Sequence, residues 1–217
     1  MSFRASSLIV FILFALTSLG QTSSSDSKIL HFNGGLIGGV TLSQVHGDGI
    51  GGFDKLGFNF GAVVKMTNRH KDGLQVSVLY NQKGSRDPGN PQQGNYNTHA
   101  YRFIYVDVPL IYNFHLDQID FQCGLQPSVL ISAMESITNL EYQSFLQPVI
   151  HSFDLGAIIG TQISYGKGST IYTRLTQSII PISPVPELDL PPGVRWDNRM
   201  YNMTLEMGVI VLFFAHD

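Results

Sequence analysis

Residues 201–213 read Tyr201-Asn202-Met203-Thr204-Leu205-Glu206-Met207-Gly208-Val209-Ile210-Val211-Leu212-Phe213. In an extended chain successive side chains point to opposite faces. Tyr201, Met203, Leu205, Met207, Val209, Val211 and Phe213 therefore share one face, while Asn202, Thr204, Glu206 and Gly208 share the other. The alternation outlasts an ordinary soluble strand of about 5–6 residues and suits the roughly 9–11 needed to cross a bilayer at a tilt. One side is dressed for hydrocarbon and the other for a polar lumen.

Working back from that stretch, the same period of two divides the chain into eight candidate strands, near 32–44, 55–67, 74–84, 100–114, 119–134, 150–166, 169–180 and 198–214. Phe58, Phe60, Ala62 and Val64 oppose Asn59, Gly61 and Lys65. Leu74, Val76, Val78 and Tyr80 oppose Gln75, Ser77, Asn81 and Lys83. Val106, Val108, Leu110 and Tyr112 oppose Tyr105, Asp107 and Asn113, and Phe153, Leu155, Ala157 and Ile159 oppose Asp154, Gly156, Gly160 and Gln162. No charge falls mid-strand on an apolar face, where one Arg or Lys at the bilayer midplane would cost about 2–4 kcal/mol. Tyr80, Tyr101, Phe114, Phe121, Tyr165 and Tyr201 fall near strand ends, the places of an interfacial aromatic girdle. The links alternate too: 45–54, 85–99, 135–149 and 181–197 are long, whereas 68–73, 115–118 and 167–168 are short. Short turns at one end and long loops at the other are the habit of an all-β, eight-stranded antiparallel up-and-down transmembrane barrel. A soluble calyx would need an outer face rich in Lys and Glu. Here the polar face is mostly Gly, Ser, Thr, Asn and Gln with six charges.

Composition agrees. Charged residues are 13% of the chain, about half the usual share, and hydrophobic residues 43%. A net charge of −3 without clustering leaves no footprint for nucleic acid. The single Cys123 excludes an intrachain disulfide and a multi-cysteine metal site, and its simplest place is against lipid. Residues 1–20 have the layout of a signal peptide: Arg4, an apolar run from Leu8 to Leu16, then Ser18 and Gly20 before a cut at Gln21. The expected organisation is a signal peptide over 1–20, a periplasmic segment over 21–31 and an outer-membrane barrel over 32–217.

Several segments together resemble the PorT-like outer-membrane β-barrel proteins of Bacteroidetes. They are Gly34-Gly35-Leu36-Ile37-Gly38-Gly39-Val40-Thr41-Leu42-Ser43, Gly57-Phe58-Asn59-Phe60-Gly61, Leu79-Tyr80-Asn81-Gln82-Lys83-Gly84, Tyr105-Val106-Asp107-Val108-Pro109-Leu110-Ile111, Asp154-Leu155-Gly156-Ala157-Ile158-Ile159-Gly160 and Tyr172-Thr173-Arg174. The chain departs from that family at Ser77, where Glu is frequent, and in ending on Ala215-His216-Asp217 instead of an aromatic residue. The resemblance implies a barrel in the outer membrane. One branch of the family serves protein secretion and gliding-related export.

By parity Lys65, Lys83, Asp107, Asp154, Arg174 and Glu206 point inward, three of each sign, and are expected to pair into a network that closes the lumen. Eight strands leave an interior just wide enough for side chains. Pro109 and Pro127 each delete a ladder hydrogen bond, and a bulge at each is the expected resolution. His151, Ser152 and His99 stand near one rim, but no orienting acid completes a catalytic set, so no enzyme is expected. His31, His46, His70, His115 and His216 lack ligand spacing, so neither metal nor cofactor is expected. The 181–197 link carries five prolines, with Trp196 near its end as a recognition candidate. The expected partners are outer-membrane lipid and a protein or ligand met by the long loops. A structural envelope role, accessory work in transport or secretion, and lipid modification follow in that order.

Overall fold

A computed structural model describes residues 30–47, 51–87, 98–137, 143–144, 150–165, 168–183 and 199–213. The expected signal peptide, most of the 21–31 segment, Trp196 and most of the long links lie outside these residues. The strands are β1 (His31–His46), β2 (Lys55–Thr67), β3 (Gly73–Asp87), β4 (His99–Asp107), β5 (Leu110–Leu116), β6 (Ile119–Ile137), β7 (Gln143–Ser144), β8 (Phe153–Tyr165), β9 (Ser169–Ser178) and β10 (Tyr201–Leu212). Each pairs antiparallel with its neighbours, and β10 closes on β1. Both β4 and β5 lie between β3 and β6, so they are two halves of one stave. The ring therefore has eight staves, as the alternation predicts, with β7 a short addition to the far end of β6.

The stagger can be read from the ladder. Starting at His31, the paired partners run through Thr67, Gly73, Asn113, Gln122, Gly160, Arg174 and Glu206 and re-enter β1 at Thr41, ten residues along. With ordinary strand spacing, eight staves offset this far tilt by about 40° and form a cylinder of roughly 8 Å radius at Cα. The sheet has no edge within the ring, as the hydrocarbon requires.

The prolines do not behave as expected, because neither carries a bulge. The register of β3 against the split stave is the same on both sides of Pro109, Leu79 opposite Asp107 and Val76 opposite Leu110. The register against β6 is likewise unchanged across Pro127, Asp107 opposite Ser128 and Leu110 opposite Leu125. Ser77 N–H still donates to Pro109 O (3.2 Å) and Val108 N–H to Pro127 O (2.8 Å). Only the reciprocal bonds are lost, since proline has no N–H. Both losses fall on one short stretch, which is why the stave breaks at Val108-Pro109 without shifting. The register shift comes elsewhere: Tyr105 faces Leu130, Ile104 faces Ser132, and Ile131 is the extra residue. This bulge places Leu130 and Ala133 on the same, inward side.

Outside, the ring is apolar. Leu36, Val40, Phe58, Phe60, Val78, Leu125, Ile159, Met207 and Val209 are all exposed, Leu56 and Ile131 by more than 60%. Phe58, Phe60 and Tyr80 stack on one another on this face, with ring centroids 5.2–6.1 Å apart. Inside, most buried side chains are polar. Tyr101 corrects the girdle assignment. It shares the inward parity of Phe103 and Tyr105 and stacks on Phe103 at 6.0 Å instead of facing lipid.

Candidate functional site

The polar interior is organised in three tiers along the barrel axis. In the middle, Lys83 Nζ pairs with Asp107 at 2.9 Å, donates to Ser128 Oγ (3.4 Å) and lies over the Tyr105 ring at 4.7 Å. Asp107 also accepts from Asn81 Nδ2 (2.9 Å) and Gln126 Nε2 (2.8 Å). The same Asn81 amide donates to Glu206 Oε1 (2.7 Å). Asn81 Oδ1 accepts from Thr41, Thr41 from Asn59, and Asn59 Oδ1 from the Tyr172 hydroxyl, a chain that joins four staves, β3, β1, β2 and β9.

Towards the short links, Lys65 Nζ pairs with Asp120 at 3.2 Å, and His115 Nδ1 meets the other oxygen of Asp120 at 2.5 Å. Gln162 Nε2 donates to Asp120 (2.7 Å), Gln122 Nε2 to Gln162 (3.0 Å) and to Asn113 (2.7 Å), and Arg174 Nε to Gln122 (2.9 Å). Towards the long links, Asp154 accepts from Ser178 (2.9 Å) and Asn202 (3.0 Å).

All six inward charges named from parity are buried, each at most 9% exposed. Their partners differ from the expectation of mutual pairing. Only Lys83 and Asp107 pair with each other; Lys65 takes Asp120, which the sequence reading missed. Asp120 was within reach, because it shares a face with Gln122, Gly124, Gln126 and Ser128. Arg174 and Glu206 face each other across β9 and β10, but Arg174 runs to Gln122 and stacks on Tyr172 (4.2 Å), whereas Glu206 turns to Asn81.

The two ends are unlike. At the long-link end Val45, Phe103, Tyr105, Ile150 and Ile182 form an apolar cluster, with Tyr101, Leu130, Ala133 and Met200 against it. Ile150 and Ile182 come from chain that folds back over the barrel. It is tied down by His151 N–H to Ile182 O (2.6 Å), Ile182 N–H to Met200 O (2.8 Å) and Leu130 N–H to Ser152 O (2.8 Å). The side chains of His151 and Ser152 are exposed there, and His99 opens β4 in the ladder opposite Ile137. At the short-link end Asn33, Lys65, Thr67, Lys71, His115 and Asp120 line a mouth of about 390 Å³.

The family described as Outer membrane protein beta-barrel domain matches residues 19–183. No curated protein matches the chain. Among solved structures, Neisserial surface protein A (NspA) is similar over 85% of this chain and 99% of its own, at 13% identity and a TM-score of 0.51. Ail, the attachment invasion locus protein of Yersinia pestis, in complex with the heparin analogue sucrose octasulfate, aligns over 84% and 99% at 14% identity and a TM-score of 0.48. The NspA likeness is one of fold. A family match over most of the chain joins a closed antiparallel ring with an apolar exterior and a polar interior, and the chain belongs to the outer-membrane β-barrel domain family and is an outer-membrane protein.

Proposed function

We propose that this protein is a non-conducting barrel that works from its surface, using its long links to contact a partner protein or an environmental ligand. Within this proposal residues 1–20 are a cleaved signal, the short links face the periplasm and the long links face outward, the orientation outer-membrane barrels share. The PorT-like kinship suggested by Leu79-Tyr80-Asn81-Gln82-Lys83-Gly84 and its companion segments belongs to the same proposal. One observation carries it: the apolar cluster of Val45, Phe103, Tyr105, Ile150 and Ile182 across the long-link end. An ion in the polar lumen meets hydrocarbon there, and the charges beneath are engaged with one another or with amides and hydroxyls, not lining an open path. With the interior closed, loops on a rigid scaffold are the remaining place for recognition.

Conductance of the purified barrel in planar bilayers tests the closed lumen; we expect no steps, and steady single-channel openings would refute it. Photo-crosslinking from position 196 on whole cells tests the recognition role. A recurrent, specific adduct is expected, and a barrel that yields none at position 196 or elsewhere in the long links has a structural role instead.

A further inference from the structure

The lipid-facing belt has one polar interruption at mid-depth. Thr161 of β8 and Thr173 of β9 are direct cross-strand partners on the outward face. Their outward neighbours are Ile159 and Leu175 on one side, Ile163 and Ile171 on the other, with Phe121 of β6 and Met207 of β10 flanking. Two further outward positions of β8, Ile163 and Tyr165, lie towards the short links, and Ile159, Ala157 and Leu155 lie towards the long ones, so the pair is well inside the belt. Neither hydroxyl has a hydrogen-bond partner among the described residues. The belt is also indented here, in a groove of about 480 Å³ walled by Phe121, Ile159, Leu175 and Leu205 with the two threonines on its floor.

We propose that two copies of this barrel associate in the membrane through this groove, as a two-fold dimer. Inside a bilayer apolar surface alone gives no drive to associate, so close packing at small side chains and hydrogen bonds between subunits do the selecting. An acyl chain could fill the groove, but it offers the hydroxyls neither donor nor acceptor. A second copy offers both. A hydroxyl donates and accepts, and a two-fold axis brings position i of one copy against j of the other and j against i. Thr161 of each protomer then faces Thr173 of its partner, and the protruding Ile159 of each, 61% exposed, fits the other's groove.

The test starts with Cys123→Ser, since Cys123 is outward-facing and would confuse oxidation. In that background Thr161→Cys and Thr173→Cys barrels are made separately, mixed, folded into phosphatidylcholine vesicles and oxidised with copper phenanthroline. We expect a disulfide-linked heterodimer, at least tenfold above that formed with Val78→Cys on β3, across the ring. Equal yields at the two places would overturn the proposal. The Thr161→Leu/Thr173→Leu variant, shown to be folded by its heat-modifiable gel shift, should lose dimer at least tenfold by subunit photobleaching in vesicles. A folded variant that dimerises like the parent, or a parent that is monomeric throughout, would also overturn it.

Discussion

Asp107→Asn tests whether the interior is held by its charges. Asp107 is fully buried and takes Lys83 at 2.9 Å together with the amides of Asn81 and Gln126. The asparagine keeps the shape and one acceptor oxygen but leaves the Lys83 ammonium, 2% exposed, without its counter-charge. Breaking one side of a buried pair costs about 3–5 kcal/mol. Glu206 accepts from the same Asn81 amide, so part of the stranded charge is offset and we expect the lower figure. Lys83→Met leaves Asp107 with two amide donors and should cost less, about 2 kcal/mol. If the loss is the stranded charge, the double variant Lys83→Met/Asp107→Asn should be less destabilised than the sum of its parents by at least about 2 kcal/mol. Urea titration in phospholipid vesicles, read by the heat-modifiable gel shift, measures all four corners of the cycle. An Asp107→Asn cost below about 1 kcal/mol, or simple additivity, would refute the reasoning.

Other perturbations read other parts of the barrel by the same titration. Val78→Arg, on the lipid face of β3, should cost about 2–4 kcal/mol, whereas Leu116→Arg at the short-link rim should cost at most about 1 kcal/mol; equal costs would mean the belt is misplaced. Gly61→Ala would set a methyl on the Val78 carbonyl and force β2 from β3, an overpacking cost of about 1–3 kcal/mol that an unchanged unfolding midpoint would contradict. Pro127→Ala restores an N–H opposite Val108, worth about 0.5–1.5 kcal/mol, but frees the unfolded chain by a similar amount. We expect a change near zero; a large loss would show that the proline is needed for the break at Val108-Pro109.

Parity was legible because it needs only one strand at a time. Glu206 is inward whatever β10 pairs with, and so are Lys65 and Arg174. Their partners depend on register between strands, which the sequence pattern leaves open: Asp120 lies opposite Gln162, and Lys83 two residues beyond Asn81. The prolines were misread for a related reason. A missing N–H matters only on the side where the ladder would use it, and Pro109 loses one bond to Ser77 while Pro127 loses one to Val108. Ile131, an ordinary residue in an apolar run, carries the bulge with no turn chemistry to announce it. The seal was invisible because Ile150 and Met200 were read as strand ends, and their fold-back with Ile182 over Phe103 is a tertiary event.

The apolar belt by itself cannot choose the stagger of ten. A slip of one residue turns every side chain to the wrong face and is forbidden, but a slip of two keeps both faces intact. The interior distinguishes these registers. Sliding β3 by two against the split stave would replace Asn81 with Leu79 or Lys83 beside the carboxylates of Asp107 and Glu206, and a similar slip of β2 would draw Lys65 from Asp120. Buried pairs are weak sources of net stability when replaced whole, so register is the better account of their presence. The variant Lys65→Met/Lys83→Met/Asp107→Asn/Asp120→Asn should therefore unfold within about 2 kcal/mol of the parent yet populate more than one register. Doubled amide resonances in β2 and β3 by NMR in detergent micelles would show it. A single resonance set at parental positions would mean that packing and turns fix the stagger without the charges.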